Sequence, residues 1–346
     1  NKLMSNKDRI ISKKKFILIS AGDPSSIASE LTIKALQSGK IIDDILPIII
    51  TDTSLIENHK NIIKDNWKIN EIKDENNFLD YKKNNFNIIP MKIENKVKLG
   101  NPSVKNCEFI KSSIIKCIEL ENRTIASAIV TNPINKNIMY QAGFKYAGHT
   151  EFLATFSKKN IQPVMMLVSE YLKTIPLTIH VPIKDVPNLI TRELIVSTVK
   201  ITSNYLKKYF GINKPRIVIT GLNPHSGENG EIGLEEQKII IPCINDIKNN
   251  SSILLNGPLS ADTIFSYQQR QTYDVAICMY HDQALIPIKT LDFNNAVNVT
   301  LGLDFIRTSP DHGTGFDIAG KDKANPGSLI SAINLAYLMS VNKDNA

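Results

Sequence analysis

Seven short apolar runs rich in β-branched residues punctuate the chain: Phe16–Ser20, Ile45–Ile50, Ile125–Val130, Val164–Val168, Pro176–Ile179, Ile217–Thr220 and Val275–Met279. Runs of this length are strands rather than helices, and a strand apolar on both faces must be covered on both faces. Helical spacing fills the gaps between them. Apolar residues recur at Ile27, Leu31, Ala35 and Leu36, and again at Phe109, Ile110, Ile114, Cys117 and Ile118, while Thr191–Phe210 and Ser328–Met339 read as longer helices. Strands alternating with helices specify an α/β fold, with a mostly parallel sheet and helices on both faces. At 346 residues the chain exceeds one ordinary core, so two domains or one large α/β unit is expected. The polar stretch Glu57–Asn87, rich in lysine and asparagine, reads as surface decoration.

Composition narrows the class of partner. Hydrophobic content of 42% and charged content of 22% suit a soluble globular chain, and no apolar run approaches the ~20 residues of a membrane helix. Lys13–Lys15 ahead of Phe16–Ser20 has the outline of a signal peptide, but the apolar part is short and runs into the turn Gly22-Asp23-Pro24, so it reads as a first strand. Met4 is a candidate native start. Cys107, Cys117, Cys243 and Cys278 have no CxxC spacing and lie in or beside apolar segments, as reduced cytoplasmic thiols do. The net charge of +7 raises the question of nucleic acid. The lysines, however, are scattered among asparagines and isoleucines with acids between them, and few aromatics are present to stack on bases. The expectation is a cytoplasmic protein with neither a nucleic-acid nor a membrane partner.

Chemistry concentrates where strands end, the place at which open α/β sheets bind ligands. His180, His225 and His281 each lie just past an apolar run. Alone, each is as well explained by ordinary hydrogen bonding, but three together match the ligand count of a catalytic metal with one open position. Asp282 and Asp262 stand where an acceptor for an imidazole N–H, a base or a simple loop cap would stand. Lys289, Asn298 and Arg307 fall in a largely apolar, loop-punctuated segment and complement an anion. Lys136, after Thr131-Asn132-Pro133, reads equally as a ligand contact or a solvated lysine. The glycine-rich stretch from Asp311 to Gly327 runs into a helix and exposes backbone amides, although it lacks the GxGxxG dinucleotide spacing.

Taken in order, Gly22-Asp23-Pro24, Thr131-Asn132-Pro133, Gly148-His149-Thr150-Glu151-Phe152, Asn223-Pro224-His225-Ser226-Gly227-Glu228, Gly257-Pro258, Tyr280-His281-Asp282-Gln283, Asn298-Val299-Thr300-Leu301-Gly302 and Phe305-Ile306-Arg307-Thr308-Ser309 resemble the 4-hydroxythreonine-4-phosphate dehydrogenase family of vitamin B6 biosynthesis. The His312–Pro326 loop is similar to the cofactor loop of isocitrate and isopropylmalate dehydrogenases. The resemblance implies two α/β/α lobes with mostly parallel sheets flanking a cleft, as in isopropylmalate dehydrogenase. The first lobe would comprise 14–145 plus 300–346, and the second 146–299, with metal and dimer contacts.

The same resemblance implies that His180, His225 and His281 bind one divalent metal, zinc, magnesium or cobalt. It implies that His149, Thr150, Lys289, Asn298 and Arg307 contact a small phosphorylated substrate, and that His312, Gly313, Asp317 and Asn325 bind NAD or NADP. The active site would lie at the interface of a homodimer. The implied reaction is oxidation of the C3 alcohol of 4-phosphooxy-L-threonine followed by loss of carbon dioxide, giving 3-amino-2-oxopropyl phosphate, with Asp282 or Lys289 as the group that takes the hydroxyl proton. Three other readings stay open: a dehydrogenase of a related acid such as 4-phospho-D-threonate, a metal-dependent hydrolase, and a noncatalytic binding protein that kept the fold. The chain departs from the family at the first loop, where Ser25, Ser26, Ala28 and Ser29 replace glycines and a proline; the serine oxygens are expected to compete for local hydrogen bonds.

Overall fold

The computed structural model describes residues 14–146, 149–157 and 162–346. Met4, Lys13 and Gly148 lie outside them, as does the side chain of His149. The strands are β1 (Lys15–Ser20), β2 (Ile45–Thr51), β3 (Lys68–Glu71), β4 (Asn85–Pro90), β5 (Ala128–Val130), β6 (Val164–Val168), β7 (Lys173–Pro176), β8 (Arg216–Thr220), β9 (Leu254–Leu259), β10 (Val275–Cys278), β11 (Val297–Leu301) and β12 (Arg307–Pro310). The helices that matter to the site are α1 (Ala28–Gln37), α2 (Cys107–Asn122), α3 (His149–Ala154), α4 (Arg192–Phe210), α5 (His281–Leu291) and α6 (Gly327–Asn345). No described helix is long and apolar enough to cross a membrane.

The chain forms two compact units. The first combines the described residues up to 157 with Leu303–Val341, and the second combines Gln162–Gly302 with Asn342–Ala346. In the first, strands run in the order β3-β4-β2-β1-β5-β12 and every neighbouring pair is parallel. The apolar runs on β1 and β2 are buried except at Phe16 and Leu46, which are half-buried, as befits continuous strands of a covered parallel sheet. Helix α2 turns Phe109, Ile110, Ile114, Cys117 and Ile118 inward. Its Ser113 hydroxyl donates to Ile50 O at 2.7 Å and accepts from Ala21 N at 2.9 Å, which fixes the chain just past β1.

The second unit runs β11-β6-β7-β10-β8-β9. β6 pairs antiparallel with both β11 and β7, whereas β7, β10, β8 and β9 form a parallel group. Helix α4 starts at Thr191, whose hydroxyl accepts from Leu194 N, and stops at Gly211, whose left-handed φ of 66° suits glycine.

Two expectations change here. Glu57–Asn87 is not decoration, since it supplies β3 and the first half of β4 to the sheet. Its polar composition hides them because Asn70 and Asn87 are buried and satisfy each other: Asn70 Nδ2 donates to Asn87 Oδ1 at 2.8 Å, and Asn87 Nδ2 donates to Lys82 O. The apolar run 176–179 follows β7 rather than forming it, although pairing continues as Leu177 N and Thr178 N donate to Cys278 O and Met279 O. In the core of the first unit Phe144, Tyr146, Phe152 and Phe156 stack on one another. At the other end Asn342 Nδ2 donates to Tyr209 O, within the second unit.

Candidate active site

Parallel register decides what meets at the end of a sheet. In the second unit Cys278 on β10 is level with Pro176 on β7, so His180 and His281 emerge from adjacent strands at the same edge. Their ring centroids are 5.7 Å apart. A pocket of about 410 Å³ is lined by both histidines together with Val181, Ile183, Tyr280 and Asp282. A second pocket, of about 400 Å³, runs along α5 from His281 and Asp282 to Lys289. His281 opens this helix and Lys289 lies two turns on, on the same side. Lys289 Nζ also sits 5.9 Å from the centre of the Phe293 ring. Asp282 Oδ1 is 2.7 Å from His281 Nδ1. A carboxylate at one ring nitrogen leaves Nε2 as the ligating atom, the arrangement usual at metal sites.

His225 leaves from β8, on the other flank of β10. Residues His225–Asn229 form an unusual turn in which five successive residues have φ of 49, 53, 84, 42 and 53°. Left-handed backbone costs about 1–2 kcal/mol for each residue with a Cβ, so the surroundings must hold it. Glu236, buried, does so from below: Oε1 accepts from Leu222 N and Asn223 N at 2.8 Å each, and Oε2 accepts from Asn223 Nδ2. At Gly227 a Cβ would come 2.8 Å from Glu236 Oε2, so only glycine fits. The turn presents His225 to solvent at 61% exposure with Glu228 Oε1 2.8 Å from its Nδ1. Glu228 was not among the residues singled out from sequence, and the signal for it is its place three residues after a candidate ligand. Asp262, three residues past the end of β9, accepts from Ser260 Oγ at 2.6 Å, which together with nearby His225 holds its carboxyl below the usual range. Among the described residues no three histidine, cysteine, aspartate or glutamate side chains stand close enough to hold one metal ion.

The carboxyl edge of the first unit is built differently. The loops after β1, β5 and β12 bond to one another: Asp23 N donates to Pro133 O, Asn132 Nδ2 donates to Ser20 O, and Ile27 N donates to Thr314 O. The substituted serines take part, and not only as competitors. Ser26 Oγ donates to Asp23 O at 2.6 Å and accepts from Ala28 N at 3.0 Å, a hydrogen-bonded turn just ahead of α1. Asp23 is buried, and the loss of water pushes its carboxyl up to about 6 despite a hydrogen bond from Ser25 N.

Arg307 on β12 is buried and donates to Thr131 Oγ1 from Nε at 3.1 Å and from Nη2 at 2.7 Å. Burial lowers its pKa to about 10 while the charge of Glu151 on α3 opposes the fall, so the helix bearing His149 and Thr150 is electrostatically coupled to the guanidinium. In the loop after β12, Gly313 and Asp317 are exposed and open space surrounds Gly313. His312 Nδ1 lies 3.0 Å from Gly313 O, and Asn325 Oδ1 accepts from Gly327 N. A strut from α1 braces this loop: Glu30 Oε1 accepts from Ala324 N, and Lys34 pairs with Asp322 and donates to Ala324 O. In the second unit, Asn298 on β11 has its Oδ1 shut off from solvent without a hydrogen-bond partner. Lys136 is exposed at the start of a short helix.

Comparison with known proteins gives this arrangement a family. Residues 43–336 match the family of the pyridoxal phosphate biosynthetic protein PdxA. A 4-hydroxythreonine-4-phosphate dehydrogenase from Bradyrhizobium diazoefficiens is 53% identical over 247 residues, covering 70% of this chain and 71% of that protein. One from Zymomonas mobilis is 41% identical over 324 residues, covering 92% and 94%. A crystal structure of 4-hydroxythreonine-4-phosphate dehydrogenase from Klebsiella pneumoniae superposes with a TM-score of 0.82 at 30% identity, covering 94% of this chain and 99% of that one. The chain belongs to the 4-hydroxythreonine-4-phosphate dehydrogenase family, oxidoreductases of pyridoxal phosphate biosynthesis.

Proposed function

We propose that the chain oxidises the C3 hydroxyl of 4-phosphooxy-L-threonine with NAD or NADP, and then releases carbon dioxide to give 3-amino-2-oxopropyl phosphate, as a cytoplasmic homodimer with its active site at the subunit interface. The observation that carries the reading is the parallel edge at which β7 and β10 deliver His180 and His281 side by side. Family membership supports a nicotinamide cofactor. Four buried free cysteines are in keeping with a reducing compartment.

The donor set suits a divalent cation such as zinc, magnesium or cobalt: the ligands are imidazoles, and His281 and His225 each have a carboxylate at Nδ1. His180, His225 and His281 would hold it, the three being divided between two copies of the chain. Exposed Ile183, Ile286 and Phe293 in the same unit are apolar surface of the kind that a second copy covers. When bound, the cation supplies Lewis acidity at the C3 oxygen and the nicotinamide takes up two electrons.

The remaining work falls to side chains. Asp282 is engaged with His281 Nδ1 and orients that ring, so Lys289, which lines the adjoining pocket, is assigned the hydroxyl proton and contact with the substrate. Arg307, His149, Thr150 and Asn298 hold the anionic and polar groups of the substrate. Arg307 stays charged at neutral pH although it is out of water, and an arriving phosphate or carboxylate offsets that loss of solvation. His312, Gly313, Asp317 and Asn325 contact the cofactor from a loop that Glu30 and Lys34 keep in place.

The test is purified protein with NAD and 4-phosphooxy-L-threonine, followed by NADH absorbance with and without a chelator. Chelator-sensitive NADH formation is expected. Formation only with 4-phospho-D-threonate would move the substrate assignment, and turnover without a nicotinamide would end the dehydrogenase reading.

A further inference from the structure

We propose that Gln283 is a positioning residue that sets the two histidine-bearing loops beside it, and through them the site of a divalent cation; this rests on the reading that His180, His225 and His281 hold one. β8 and β10 run in parallel register as far as Ile219 opposite Ile277. Beyond that the two chains fork. One continues through Thr220 and Gly221 into the left-handed turn that carries His225, and the other through Met279 and Tyr280 into α5, which opens with His281.

Gln283 lies in the first turn of α5 and sends its carboxamide back into the fork. Its Oε1 accepts from Met279 N and from the Thr220 hydroxyl, each at 2.7 Å, and its Nε2 donates to Gly221 O at 2.9 Å. One planar group thereby closes three backbone and side-chain contacts that the end of the ladder leaves open, and it spans both arms of the fork. The peptide beyond Gly221 is gripped from the other side, where Glu236 accepts from Leu222 N and Asn223 N. The path into the His225 turn is thus clamped at consecutive residues.

The position demands an acceptor and a donor in one side chain of this length. Glutamate keeps the acceptor but turns a carboxylate oxygen toward Gly221 O, and leucine fills the space while leaving all three partners unmet. Gln283 reaches no proposed ligand atom itself. Its effect on a cation is to fix where His225 and His281 start, the role that partners one step removed from a metal characteristically fill.

Zinc affinity measured on the full-length protein, by competition with a chromophoric chelator, reads this out separately from stability. Gln283→Leu is expected to weaken zinc binding by about 10–100-fold in protein whose circular dichroism and oligomeric state match wild type, with Gln283→Glu falling between. Should Gln283→Leu fail to fold, Thr220→Val removes one of the three contacts and is expected to weaken zinc several-fold. A wild-type protein that binds no zinc brings down the metal reading and this inference with it. Wild-type binding matched by the folded variants overturns the role of Gln283 and leaves the metal reading standing.

Discussion

Around β1, β5 and β12 the loops at the strand ends close on one another, while around β7, β10 and β8 they open to solvent. In the first unit Asp23, Ser25, Ser26, Thr131, Asn132 and Arg307 are all buried, and the loops exchange backbone and side-chain hydrogen bonds. In the second, the side chain of His225 is 61% exposed and that of His281 35% exposed, and each has an exposed carboxylate neighbour. The difference is one of electrostatic cost. A buried charge such as Arg307 is tolerable only in a scaffold already built to hold it, whereas an exposed imidazole needs nothing until a ligand arrives. The first edge is finished by its own chain, and the second leaves its imidazoles oriented by carboxylates but open to solvent.

Substitutions at the two edges should therefore fail in different ways. The largest effect is expected from His281→Ala, which should lose bound metal and lower kcat by more than about 100-fold, beyond what removal of an orienting partner does, while the protein stays folded; full activity with undiminished metal by atomic absorption would remove the histidine from the open edge. Asp23→Asn probes the closed edge through pH. Because burial raises the Asp23 carboxyl to about 6, the folded state holds its proton more tightly than the unfolded chain does. The stability this provides is complete below the ordinary carboxylate range and is lost as pH rises through about 6. A shift of about two units amounts to at most about 3 kcal/mol. The stability difference between wild type and Asp23→Asn, from urea midpoints at pH 4 and pH 7, should move by that amount against wild type, and a constant difference would show that the closed edge carries no such load.

Arg307→Ala should raise KM by about 10–100-fold, the worth of charged hydrogen bonds to a ligand, and an unchanged KM would make Arg307 purely structural. The smallest effect is expected at Glu228→Gln, which keeps an acceptor beside His225 but removes its charge. About a tenfold loss of zinc affinity, seen in the same chelator competition, would confirm that the pair is tuned for a ligand, and no loss would leave it as surface decoration.

What was legible in the sequence follows the same division. Apolar runs such as Ile45–Ile50 and Ile217–Thr220 announced their strands because nothing but burial explains them, and the histidines past β7, β8 and β10 announced the open edge. β3 and β4 were illegible because their buried asparagines satisfy one another, and a polar stretch looks the same whether water or a partner side chain meets it. The coupling of Arg307 to Thr131 and Glu151 was equally hidden, since it joins residues far apart in the chain. Pairing direction was hidden too: nothing local to Val164–Val168 distinguishes the antiparallel β6 from strands of the parallel group such as β8 and β10.

The left-handed run at His225–Asn229 has a consequence for how this sequence can drift. Valine, isoleucine and threonine are strongly disfavoured through five successive left-handed residues, because a branched Cβ crowds the backbone at positive φ. The isoleucine-rich bias that fills the strands of this chain is therefore held back at the turn by backbone geometry, whatever becomes of the ligand.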